Sequence, residues 1–176
     1  MKFVVVYESM FGNTETIAQA IAAGLREAGE VTLGTVDALS PEEVRDATLL
    51  VAGGPTHAHG MARPNAHETM AGERSYRRYG PVLPGRESLR GWIERLMVAP
   101  ARAAAFDTRF DKPMWITGSA AKKIAARLTR KGYSVLEARS FFVTATGGPL
   151  VEGERDRAFE WGRGLGTKAT SAAAAA

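Results

Sequence analysis

Apolar residues recur along the chain in two alternating rhythms. Phe3 to Tyr7 is an unbroken apolar run with three consecutive valines, too short and too β-branched for a helix and suited to a strand buried on both faces. Ile17, Ile21 and Leu25 then fall at helical spacing, which places a helix start at about Asn13 or Thr14 and an end before Gly29. Glu30 to Val36 reads as a second strand, and Ser40-Pro41-Glu42-Glu43 as the capped start of a short helix. Ala47 to Ala52 is again wholly apolar and predicts a third strand, followed by a loop from Gly53 to Met61. Leu89, Trp92, Ile93, Leu96 and Met97 predict a helix with Trp92 in the core, and Ala101 to Phe106 a fourth strand. Ile124 and Leu128 mark a helix with a basic outer face after Gly118-Ser119. The last strand is expected over Ser140 to Ala145, after a break that follows Tyr133 to Leu136. A final helix is expected from Glu152 to about Gly164, with Ala158, Trp161 and Leu165 on its buried side.

Strands that alternate with helices at this spacing predict βαβ units and a parallel sheet. The expected architecture is a doubly wound, five-stranded parallel α/β sheet of order 2-1-3-4-5, one domain over residues 1–168, with a tail at 169–176 that should fray. In that order the loops after strands 1 and 3 face each other across one crevice, and the loop after strand 4 borders it. Residues 62–88 show no clear period and contain the cluster Arg74-Ser75-Tyr76-Arg77-Arg78-Tyr79. A stretch of this length is either functional or an unspecialised solvated insertion; as a lid beside the crevice, its Arg and Tyr residues would bind an anionic or aromatic substrate.

The loop after strand 1 carries the candidate chemistry. Ser9, Met10, Phe11, Gly12, Asn13 and Thr14 lead from a strand directly into a helix, so backbone N–H groups and the helix dipole point at one spot that suits a phosphate. The bland alternative is an ordinary turn with Thr14 as a helix cap. The loop lacks the GxxxxGK[ST] pattern of nucleoside triphosphate sites and the GxGxxG pattern of dinucleotide sites. His57 and His59 form an HxH pair, but without a third ligand or nearby carboxylates no metal site is assigned.

Composition narrows the setting. The 176 residues include no cysteine, so a disulfide framework, a thiolate metal site and a cysteine nucleophile are excluded. No leader-like apolar segment and no run of about 18 apolar residues is visible, so a soluble, cytoplasmic protein is expected. The net charge of +4 is spread as singles and pairs rather than as a patch, which disfavours nucleic acid.

The run Ser9-Met10-Phe11-Gly12-Asn13-Thr14-Glu15 after a strand resembles the FMN phosphate loop of the flavodoxin superfamily, commonly [ST]-x-[ST]-G-x-T. Phe11 stands where many flavodoxins carry a hydroxyl residue; flavodoxin domains of flavodiiron proteins, and quinone reductases of the tryptophan-repressor-binding-protein type, often have an aromatic there. Pro55-Thr56-His57-Ala58-His59-Gly60 resembles the loop along the isoalloxazine edge in the quinone-reductase branch, with an extra residue before Gly60 and no Trp or Tyr. The resemblance implies that His57, His59 or Met61 covers the ring. Asp107-Thr108-Arg109-Phe110 resembles the other ring-flanking loop: Phe110, or else Phe106, would stack on the ring, donors near Thr108 would meet its pyrimidine edge, and Arg109 would stabilise reduced flavin. The implied cofactor is FMN, and the implied function an electron carrier. The alternatives are an FMN-dependent NAD(P)H:quinone-type reductase and a flavin-free interaction domain. The partner would be a redox protein with a neutral or acidic docking patch, or a small quinone-like acceptor. No catalytic acid or base is assigned, and whether the protein is an enzyme stays open.

Overall fold

The structure, a computed structural model, describes residues 1–57, 60–63, 65–97 and 102–174, with the side chains of 77 and 172–174 left aside. Its strands are β1 (Lys2–Tyr7), β2 (Glu30–Thr35), β3 (Leu49–His57), β4 (Gly60–Met61), β5 (Arg102–Phe110) and β6 (Ser134–Val143). Its helices are α1 (Asn13–Leu25), α2 (Ala66–Gly72), α3 (Leu89–Glu94), α4 (Met114–Thr117), α5 (Ala120–Arg130) and α6 (Glu154–Ala174). The sheet order is β2-β1-β3-β5-β6, parallel throughout, with β4 folded back antiparallel on the end of β3. Without β4 this is the expected order 2-1-3-4-5.

The wholly apolar strands are explained by burial on both faces. Val4, Val6, Leu50, Ala52, Ala103 and Ala105 point to a layer completed by Leu89, Trp92 and Ile93 of α3 and Ile124 and Leu128 of α5. Phe3, Val5, Leu49, Val51, Ala104 and Phe106 point the other way, into Ile17 and Ile21 of α1 and Trp161 and Leu165 of α6. Trp92 is a core residue, as its spacing implies, and its indole N–H donates to Leu39 O (2.6 Å). Helices α1 and α6 touch backbone to backbone: a Cβ on Gly24 would stand 2.1 Å from Phe159 O.

Several boundaries differ from the sequence reading, each for a physical reason. β3 continues to His57 and β5 to Phe110 because both ends find partners: the two strands pair with each other as far as Pro55 against Thr108, then Thr56 and His57 pair with β4 and Arg109 and Phe110 with β6. The expected loops after both strands are therefore largely strand. β6 is one strand rather than a segment after a break; the register slips by one residue at Leu136, between the pairs Val135–Ala103 and Glu137–Ala104. The bulge is the irregularity that the sequence announces as an end. α6 runs ten residues past its expected end, to Ala174, so most of the tail segment is helical backbone. α3 ends at Glu94 and Met97 is exposed, not part of its buried face.

Residues 62–88 have structure of their own: α2, a single helical turn at Arg77–Tyr79, and a small core of Met10, Ala62 and Met70 with Phe11, Tyr76 and Val82 packed around it. The segment is tied to the loop after β1 by the Leu83 N–H, which donates to Met10 O (2.8 Å).

Candidate functional site

A cleft opens at the C-terminal ends of β1, β3, β5 and β6, where a doubly wound sheet reverses its connections. Its walls include Met10, Phe11, Asn13 and Thr14 from the first loop, Pro55, Thr56 and His57 from β3, and Thr108, Arg109 and Phe110 from β5. Tyr76, Val143 and Thr146 complete it. The three predicted loops do converge, although two of them are strand ends. Ala58 and His59 lie outside the described residues.

The floor is the turn into α1. Gly12 is its N-cap, at φ +85°, a left-handed conformation that an L side chain adopts only with strain. The N–H groups of Gly12 and Glu15 converge on Ser9 Oγ (3.2 and 3.3 Å). Convergent donors at the start of a thirteen-residue helix form a seat for an oxyanion, with the Ser9 hydroxyl at its centre. Thr14 is not the cap: its hydroxyl lies 2.7 Å from that of Thr108, joining the first loop to β5.

Asp107 belongs to the frame rather than to the wall. It is fully buried, and its Oδ2 accepts from the hydroxyls of Thr56 (2.9 Å) and Ser119 (2.7 Å) and from the Ala121 N–H (2.8 Å). One carboxylate oxygen thus joins β3 and β5 to the start of α5. Arg109 is also committed: its Nη1 donates to Phe110 O, Lys112 O and Thr117 Oγ1, and its guanidinium lies 4.9 Å from the Phe142 ring centre. It holds the 110–117 turn, a role that no local pattern discloses. Phe110 lines the cleft and is 40% exposed, whereas the alternative, Phe106, is sealed in the core against Phe141. Met61 is buried and lies outside this cleft. The aromatic ring absent from the 55–60 segment comes instead from Tyr76, nineteen residues after His57. No sequence spacing links the two.

The histidine that sequence reasoning passed over is His67. It is 8% exposed, its Nδ1 donates to Leu83 O (2.9 Å), and its Nε2 lies 3.4 Å from Glu8 Oε1 at the end of β1. The other Glu8 oxygen accepts from Leu89 N–H (3.1 Å), so one buried carboxylate meets both α2 and the start of α3. Glu8 raises the His67 pKa above its ordinary 6.5, whereas burial depresses that of His57, which is then neutral at pH 7. A raised folded pKa contributes stability that is complete below the unfolded value and is lost as pH rises through the folded one. Residues 66–83 should therefore exchange amide hydrogens faster, relative to the intrinsic rate, at pH 8.5 than at pH 5.5. His67→Gln should remove that difference; if both proteins keep it, the Glu8–His67 pair is not its cause.

Comparison with known proteins agrees with this geometry. The flavodoxin family model matches residues 5–90, which include the loop after β1, β3 and the inserted segment. A flavodoxin from the domain Archaea superposes with a TM-score of 0.68 at 19% identity, over 97% of this chain and 99% of that one. Oxidised flavodoxin 2 from Bacillus cereus gives a TM-score of 0.67 at 19% identity, over 96% and 99%. The flavodiiron protein from Giardia intestinalis gives 0.63 at 21% identity, over 97% of this chain and 36% of that larger one. The chain has the flavodoxin-like α/β fold, and its residues 5–90 are similar in sequence to the flavodoxin family. Among the described residues, no helix is long and apolar enough to cross a membrane.

Proposed function

We propose that the protein binds FMN without a covalent bond and serves as an electron carrier. The observation that carries this reading is the oxyanion seat at Ser9 to Thr14, with Gly12 in a left-handed turn, beneath a cleft that also contains Phe11, His57, Tyr76 and Phe110. The donor set fits a terminal phosphate, and the aromatic walls fit a planar ring. Bound FMN would supply reversible one- and two-electron chemistry. The chain's part is to hold the phosphate with Ser9, Gly12, Asn13, Thr14 and neighbouring N–H groups, and to flank the ring with Thr56, His57, Thr108 and Phe110. Asp107 fixes Thr56, and Arg109 fixes the turn that follows Phe110. The proposed partner is a redox protein, the kind of partner that flavodoxins serve.

Titration of the apoprotein with FMN, with riboflavin and FAD as controls, tests the reading through flavin absorbance and fluorescence. Tight FMN binding with quenched fluorescence, and much weaker riboflavin binding, is expected. Absence of FMN binding would retain the fold and discard the redox function. A reductase acting on a quinone-like acceptor is a second reading, favoured by a further cavity that shares His57 and Tyr76 with the cleft. Steady-state NAD(P)H oxidation with a quinone separates the two.

A further inference from the structure

That further cavity has a volume of about 650 Å³ and lies between the inserted segment, α5 and the start of α3. Its walls are of two kinds. Met61, Ala66, Met70 and Tyr76 make an apolar side, and Arg63, Arg90 and Lys123 bring three cations. No aspartate or glutamate lines it, and none of the three cations has a hydrogen bond or ion pair among the described residues. His57 is neutral there and adds no charge.

Arg63 and Lys123 are exposed, where unpaired cations are ordinary; what sets them apart is their convergence with Arg90 on one cavity, where water and counterions alone offset the mutual repulsion. Arg90 makes the case sharper. Its Nε is buried and has no acceptor, although buried guanidinium donors almost always find one. Lys123 lies across Gly60, with Nζ 2.6 Å from where a Cβ on Gly60 would stand. Glycine at that position therefore lets the ammonium reach the cavity from α5. The cations come from three separate parts of the chain, so no local basic motif accounts for their meeting. The volume falls within the range of about 300–1,000 Å³ usual for small-molecule sites.

We propose that this cavity binds a small organic polyanion, a molecule with two or more phosphate or carboxylate groups on an apolar body. The oxyanions would meet Arg63, Arg90 and Lys123, with the Arg90 Nε–H supplied with its missing acceptor; the body would lie against Met61, Met70 and Tyr76. The shared wall of His57 and Tyr76 sets this ligand directly beside the proposed FMN cleft. Its bearing on electron transfer rests on the FMN reading; the binding itself does not.

The test is calorimetric titration of the full chain with pyrophosphate and with citrate at low salt, with and without saturating FMN. Wild type is compared with Arg63→Glu and Lys123→Glu, both at exposed positions that tolerate charge reversal. Saturable binding that survives FMN saturation and weakens by about tenfold or more in each variant is expected, with FMN affinity unchanged. Pyrophosphate binding ahead of citrate would point to phosphate esters, the reverse order to carboxylates, and equal affinity to both through their shared oxyanions. No saturable binding below about 10 mM would overturn the proposal. So would affinity unchanged in the variants, or anion binding abolished by FMN, which would place the anion in the Ser9–Thr14 loop. Loss of FMN affinity in the variants would also overturn it as a separate site. Failure of FMN binding in every protein, with anion binding intact, would reject the FMN reading alone.

Discussion

Replacing Gly12 by valine is expected to weaken FMN binding by at least about 100-fold, and replacing it by asparagine to leave most of the affinity. Gly12 sits at φ +85°, and nothing lies within 4 Å of a Cβ built there, so the restriction is conformational rather than spatial. A β-branched residue meets a penalty of about 1–2 kcal/mol or more in the left-handed region, whereas asparagine visits it routinely. The turn would relax out of that conformation and swing the Gly12 and neighbouring N–H groups away from the point now occupied by Ser9 Oγ. Charge-assisted bonds are worth about 1.5–3 kcal/mol each, so the loss of two corresponds to a factor of about 100 or more in affinity. Fluorescence titration of both variants decides the matter. Valine and asparagine variants that bind FMN equally well would remove the phosphate-seat assignment.

That turn was legible because strand, glycine and helix are adjacent in the chain, and local order alone specifies a strand-turn-helix with convergent N–H groups. That the sheet is parallel and covered on both faces was legible for a similar reason: uninterrupted apolar runs such as Phe3–Tyr7 can only be buried on both faces. Strand ends were not, because what extends β3 and β5 is pairing with other strands: Pro55 with Thr108 some fifty positions away, His57 with Gly60 of β4, and Phe110 with Val143 of β6. Side-chain roles that depend on distant partners were equally hidden. Asp107 and Arg109 read as residues of a loop beside the ring; the structure places the carboxylate under Thr56 and ties the guanidinium to the 110–117 turn. The Arg/Tyr cluster at 74–79 reads from sequence either as a substrate-binding lid or as an unspecialised solvated insertion. Among its described side chains only Tyr76 lines either cavity, while the cations that do so, Arg109 in the cleft and Arg63, Arg90 and Lys123 in the further cavity, lie outside the cluster.

Asp107→Ala is the substitution with the largest expected effect on stability, about 3–5 kcal/mol, because it leaves three donors, two of them buried, without an acceptor at once. The Thr56 and Ser119 hydroxyls and the Ala121 N–H all point at one oxygen of the fully buried Asp107, and only Thr56 borders the cleft. The carboxylate also lies at the first turn of α5, where negative charge is favoured by the helix dipole, and Ser119 caps that helix by accepting from Lys122 N–H (3.2 Å). Removing the carboxylate therefore loosens β3, β5 and α5 together. For a chain of this length each kcal/mol shifts the melting temperature by about 2–4 °C, so a fall of about 6–20 °C is expected. Asp107→Asn keeps an acceptor oxygen and gives up the charge, and should cost only about 1–2 kcal/mol. Urea unfolding of the two variants separates the acceptor from the charge: an alanine variant within about 1 kcal/mol of wild type would show that the three donors find other partners. An asparagine variant as damaged as the alanine one would transfer the effect to the charge on the α5 dipole. In either variant the Thr56 hydroxyl, which lines the cleft and is proposed to flank the ring, loses part of its anchor, so FMN affinity should fall in the order wild type, asparagine, alanine, in step with stability.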